Sequence, residues 1–113
     1  MSNLFQKKCE PCSGATSKLS INEINNKLLE IDNWELNNNQ EMIFKKFKFK
    51  SFKKALYFTN LVGELAEEEG HHPDISLGWG YCLIMIHTHA IKGLSINDFI
   101  LASKIDQIIQ RNQ

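Results

Sequence analysis

The chain reads as an α+β domain of two layers, a four-stranded antiparallel sheet with three helices on one face, in the order α-β-β-α-β-β-α. Three observations predict this. Apolar residues recur at helical spacing in three segments, beginning near Ile21, Phe52 and Ile96. Runs rich in aromatic and β-branched residues fill the intervals, as in 41–50 and 79–90. Turn-forming residues, Asn37-Asn38-Asn39 and Gly93 among them, punctuate the runs and allow hairpin connections. With 113 residues, 42% of them hydrophobic, the length suits one core.

Residues 1–18 mix Lys, Cys, Pro, Ser, Gly and Thr without periodicity and read as an irregular or mobile leader, or a strap over the domain. Residues 19–113 read as the single domain. Ser20 with Glu23 three residues on makes a capping box, and Ile21, Ile24, Leu28 and Ile31 follow at helical spacing. Asp32-Asn33 ends that helix. Trp34 to Leu36 and Glu41 to Lys50 read as a hairpin across the Asn turn. Met42 and Phe44 have opposite parity to Phe47 and Phe49, so a bulge near Lys45-Lys46 is expected to bring both pairs to one face. Ser51 can cap a long helix with the stripe Phe52, Ala55, Leu56, Thr59, Val62, Leu65 and Ala66, stopped at Gly70. After Pro73, Ile75 to Leu77 reads as a short strand and Trp79 to Ala90 as a long one. Ser95 and Asp98 make a second capping box ahead of a closing helix carrying Ile96, Phe99, Ile100, Ser103, Ile105, Ile108 and Ile109.

Composition excludes several functions. Thirteen basic and thirteen acidic residues cancel, leaving no global positive field for nucleic acid or an anionic membrane. Apolar runs such as Cys82 to Ile86 are far shorter than the roughly 20 residues a bilayer span needs. The amino terminus lacks the apolar core of a secretory signal, so a cytoplasmic location with reduced cysteines is expected.

All four histidines fall within nineteen residues: His71 and His72 past the end of the long helix, His87 and His89 at the end of the long strand. Strand alternation puts His87 and His89 on one face with Trp79, Tyr81, Leu83 and Met85, and Cys82, Ile84, Ile86 and Thr88 on the other, toward the helices. The helix end carrying His71 and His72 could then meet them on the helix-free face. Imidazole gives and takes protons near neutral pH, so two of them across a substrate make an acid–base pair. Zinc competes as a reading, since His-x-His on a strand is a ligand pair and His71 or His72 could add a third position, but no zinc signature has this spacing. Cys9-x-x-Cys12 lacks a second pair and reads as unpaired thiols. Glu67 stands four residues before His71 and could orient that imidazole, whereas Glu68 and Glu69 read as a solvated acidic helix end. Asp98 is accounted for by capping. Trp79 could stack on a flat ring or fill an interface.

Glu67-x-x-x-His71-His72-Pro73, five residues to Trp79, nine to His89 and eight to Asp98 resembles the signature of the pterin-4a-carbinolamine dehydratases. The similarity runs from about Ser20 to the carboxyl end and takes in Phe47-Lys48-Phe49, 70–74 and 88–95. The resemblance implies removal of water from a 4a-hydroxytetrahydropterin to give the quinonoid dihydropterin, recycling the cofactor of aromatic amino acid hydroxylases. Coupling to phenylalanine hydroxylase follows from that role. It further implies His71 and His89 as the acid–base pair, with His72 orienting substrate or sharing in catalysis. Gly70, Pro73, His87, Thr88 and Ala90 would line the pterin pocket, with Trp79 beside them and Asp98 and Glu67 positioning histidines or substrate. His87 stands where animal members carry a small hydroxyl residue. The family needs no metal and no added cofactor, and its members form homodimers or homotetramers, as an exposed face bearing Tyr81, Leu83 and Met85 also suggests. A non-catalytic dimerisation or interaction module of the same fold is the alternative function.

Overall fold

In a computed structural model, which describes residues 4–9 and 17–111, one four-stranded antiparallel sheet carries three helices on one face. Helix α1, Ile21–Leu28, begins on the expected capping box: the Ser20 hydroxyl accepts from the Glu23 N–H, and the Glu23 carboxylate accepts from the Ser20 N–H at 2.9 Å. It ends at Leu28, short of Ile31, because the next turn tightens into i to i+3 bonds, Lys27 O to Glu30 N–H and Leu28 O to Ile31 N–H.

Strands β1, Glu35–Leu36, and β2, Ile43–Lys48, form the first hairpin, with the Asn37 side chain accepting from the N–H groups of Glu41 and Met42. Strands β3, Asp74–Gly78, and β4, Tyr81–Ile86, form the second, and the sheet order is β1-β2-β4-β3. No bulge interrupts β2 at Lys45-Lys46: it pairs with β4 residue for residue, from Ile43 opposite Ile86 to Lys48 opposite Tyr81. Ile43, Lys45 and Phe47 therefore share the helix-covered face, and Met42 and Phe44 stay on the other. What makes a bulge unnecessary is a partner for the inward lysine. Lys45 Nζ lies 2.9 Å from an Asp106 carboxylate oxygen and 2.6 Å from the Asp32 carbonyl, over the Phe47 ring. Asp106 also accepts from the Trp34 indole N–H at 3.1 Å.

Helix α2, Phe52–Glu69, starts at the Ser51 cap and stops at Gly70, in the left-handed conformation with φ 66°. Its inward face is Ala55, Phe58, Val62 and Ala66; Phe52 and Leu56, assigned to the stripe from spacing, stay exposed, and Phe58 takes the core position. A methyl at residue 70 would meet nothing within 4 Å, so Gly70→Ala carries the backbone cost alone, about 1 kcal/mol. That corresponds to a melting midpoint roughly 4 °C lower. An unchanged midpoint would show that the left-handed cap is not what ends α2.

Helix α3, Ile96–Arg111, is buried along most of its first half, polar residues included. The reason lies in the leader: Leu4–Gln6 forms a 3-10 turn against α3, and Leu4, 1% exposed, enters the core with Phe99, Leu101, Ile84 and Ile86. Each such side chain contributes about 1.5–3 kcal/mol of transfer free energy. Glu69, expected in a solvated helix end, instead accepts from the Cys9 N–H at 2.9 Å and from Lys104 Nζ at 2.7 Å. Burial pushes its carboxyl upward, but these two donors outweigh it and hold the group below its ordinary value. Burial, with Glu69 adding to it, pushes the Cys9 thiol up to about 12, so Cys9 stays protonated; Cys12 lies outside the described residues.

Candidate active site

The left-handed turn at Gly70, whose N–H closes on the Ala66 carbonyl, takes the next residue off the surface of α2 and sends His71 inward to 5% exposure. There its Nε2 lies 2.6 Å from Asp98 Oδ1, in the first turn of α3. Asp98 is fully buried, and its other oxygen accepts from the Thr88 hydroxyl and from the Ser95 N–H, each at 2.8 Å. The Ser95 hydroxyl pairs with Thr88 Oγ1 at 2.8 Å, completing a closed polar set. No buried side-chain polar atom among the described residues lacks a partner. An ionised carboxylate only accepts, which assigns the proton of neutral His71 to Nε2 and makes Nδ1 the basic nitrogen. Asp98 thus supplies one half of the capping box read from Ser95-x-x-Asp98, accepting from the Ser95 N–H, whereas the Ser95 hydroxyl turns to Thr88 instead of the Asp98 N–H; the same carboxylate also orients His71.

Glu67 does not serve His71. With the chain leaving the helix at Gly70, the four-residue spacing no longer applies, and Glu67 forms an exposed pair with His72. Pro73 follows in the irregular stretch that leads into β3.

Strand β4 ends at Ile86, four residues sooner than expected. Lys92 adopts φ 50°, Thr88 and Gly93 exchange backbone hydrogen bonds, and the interval folds into a 3-10 turn, His89–Ile91, that carries the exposed His89 and Ala90. Alternation still governs the residues before it: Cys82, Ile84, Ile86 and Thr88 are buried. His87 lies on the opposite side, with its Nε2 3.3 Å from Asp74 Oδ2 and its ring centroid 4.0 Å from that of His89. Asp74 opens β3 opposite Met85, which places it diagonally beside His87.

The structure therefore sorts the four histidines into a buried one, His71, an exposed one paired with Glu67, His72, and an outer group, His87 with His89, that joins His71 through Thr88, whose hydroxyl binds the carboxylate against His71. His71 does not share the helix-free face with His87. Trp79 is not brought to them: it sits 72% exposed in the β3–β4 turn, separated from His87 by the length of β4, about 20 Å for six extended residues. Asp74 and the Thr88–Ser95 link went unassigned from sequence, since strand register and helix-to-strand contacts leave no local signal. A separate groove lined by Lys46, Lys48, Lys54, Phe49 and Tyr57 contains none of the histidines.

Fold and site together define a small α+β domain with imidazoles and carboxylates gathered at one end of its sheet. A family profile described as pterin 4 alpha carbinolamine dehydratase matches residues 17–108, and the chain belongs to that family. A relative from Methylococcus capsulatus is 44% identical over 106 residues, covering 94% of this chain and 93% of the relative. Another from Alkaliphilus metalliredigens is 47% identical over 108 residues, covering 95% and 96%. Both carry, provisionally, the name pterin-4-alpha-carbinolamine dehydratase. Among solved structures, a transcriptional coactivator/pterin dehydratase from Brucella melitensis superposes with TM-score 0.78 at 29% identity, covering 81% of this chain and 98% of that one. A pterin dehydratase-like RuBisCO assembly factor of the alpha-carboxysome gives TM-score 0.59 at 26% identity, covering 68% and 89%. No helix among the described residues is long and apolar enough to cross a membrane.

Proposed function

We propose that this chain catalyses the dehydration of a 4a-hydroxytetrahydropterin to the quinonoid dihydropterin, using histidines alone and no added cofactor. The observation that carries the reading, within the family, is the buried His71 with its Nε2 against the Asp98 carboxylate. In the reaction the N5 lone pair forms a double bond to C4a, the C4a–O bond breaks, and the hydroxyl leaves as water after taking a proton, while the N5 proton goes to a base. The carbinolamine supplies its own electronic push, so proton delivery and removal remain to be catalysed. His71 suits the base: with its Nε2–H given to Asp98, a proton is taken up at Nδ1. His89, exposed on its turn, is the acid that protonates the departing hydroxyl, and His72, also exposed, orients the pterin. A cytoplasmic homo-oligomer that recycles the cofactor of phenylalanine hydroxylase is the setting this chemistry fits.

The absorbance change on adding the protein, with a chelator present, to freshly generated 4a-hydroxytetrahydropterin tests the reading. Wild type should accelerate it, and a folded His71→Ala/His89→Ala variant should lose on the order of 10²- to 10⁴-fold. The solved relatives described as a coactivator and as an assembly factor favour a second reading, a non-catalytic interaction module. Folded wild type that gives no acceleration would decide for it.

A further inference from the structure

The outer group has a property the dehydration does not use. One ligand atom from each of Asp74, His87 and His89 lies within 4.8 Å of the other two. We propose that these three residues form a binding site for a divalent transition-metal ion of the zinc type, and that an ion held there takes His89 out of proton transfer. The second half rests on the dehydratase reading; the first does not.

Donors bound to one tetrahedral zinc at about 2.0–2.1 Å stand roughly 3.3 Å apart. One pair, His87 Nε2 and Asp74 Oδ2, is already at 3.3 Å, and no donor is more than 4.8 Å from another, a gap that exposed side chains can close by rotation. The supporting backbone is fixed on each side. Asp74 is held by its register opposite Met85, His87 by the end of β4, and His89 by the turn that Thr88 and Gly93 close. Asp74 and His89 are exposed and His87 is half-buried, so an ion can enter without unfolding anything. Two imidazoles and one carboxylate select zinc, nickel or cobalt over magnesium or calcium, which prefer an all-oxygen shell. Three protein ligands leave a fourth position for water. An imidazole whose lone pair is given to a metal cannot carry a proton on that nitrogen, so occupancy and acid catalysis by His89 exclude one another.

Titration of metal-free protein with Zn²⁺ against a chromophoric chelator should saturate at one ion per chain. Asp74→Asn and His87→Ala should each weaken binding on the order of 100-fold, since even outer-shell partners of metal ligands are worth 10- to 100-fold. Cobalt-loaded protein should lack the thiolate charge-transfer band that a Cys9–Cys12 site would give. No saturable binding, unchanged affinity in Asp74→Asn, or a thiolate band overturns the site. One equivalent of zinc should also abolish dehydration by wild type, while Asp74→Asn keeps the metal-free rate and resists zinc. Full activity of the zinc-loaded protein overturns the second half. A metal-free protein without activity counts against the dehydratase reading, and the binding curve still decides the site.

Discussion

Asp98→Asn is expected to reduce pterin dehydration by about 10²- to 10⁴-fold while leaving the melting midpoint within a few degrees of wild type. The geometry dictates both parts. Asp98 Oδ2 accepts from Thr88 and from the Ser95 N–H, so the amide oxygen of an asparagine takes that side and keeps both bonds. The amide nitrogen then occupies the side facing His71 Nε2, where it can only donate. His71 is forced into the other tautomer, with its proton on Nδ1, and the nitrogen assigned to accept the N5 proton is blocked. Asp98 is a positioning residue, so turnover alone does not test its role. Nitrogen NMR of the imidazole should show the tautomer reversed, and the acid limb of the rate profile should change with it. A variant with normal turnover, or one slowed with the His71 tautomer unaltered, would remove Asp98 from this role.

Lys45→Met should cost about 2–3 kcal/mol at neutral pH, somewhat less than the 3–5 kcal/mol of a fully buried broken pair, because both side chains keep some exposure at the rim. The variant preserves most of the apolar stem and removes the ammonium, leaving Asp106 with the Trp34 indole and the Asp32 N–H. The pH dependence has a definite sign. Burial raises the Asp106 carboxyl above its ordinary 3.8 even with Lys45 and the other donors opposing it. The folded chain therefore binds this proton more readily than the unfolded chain. The contribution is full below the unfolded value and is lost as pH rises through the folded one. Without Lys45 the folded value moves higher still, so the deficit shrinks on acidification. Urea midpoints of both proteins at pH 7 and pH 5 measure this. An equal deficit at the two pH values would mean that Lys45 acts through packing over Phe47 and not through Asp106.

The elements were legible wherever the signal is local. Ser20 with Glu23, Ser51, and Gly70 mark helix ends through contacts within a few residues, and the buried alternation of Cys82, Ile84, Ile86 and Thr88 follows from strand geometry. Legibility fails where the partner is distant. Lys45 inside β2 reads as an error to be mended by a bulge until Asp106, 61 residues on, supplies its counter-charge. Spacing connects Glu67 to His71, but the left-handed residue between them ends the helix and hands His71 to Asp98, 27 residues away. The early end of β4 depends on Lys92 taking a left-handed conformation that its side chain does not announce. Six fixed spacings pointed to the family; how its residues join into two connected sets needed the fold.

Residues 87, 88 and 89 alternate between two worlds: Thr88 is tied into the buried network, while its neighbours stand outside it. Such a chain can drift at His87 without disturbing the hydrogen bonds that orient His71. A single insertion or deletion in the same stretch would exchange the inner and outer roles at once. A point substitution at the rim therefore leaves the interior as it stands, and a change of length does not.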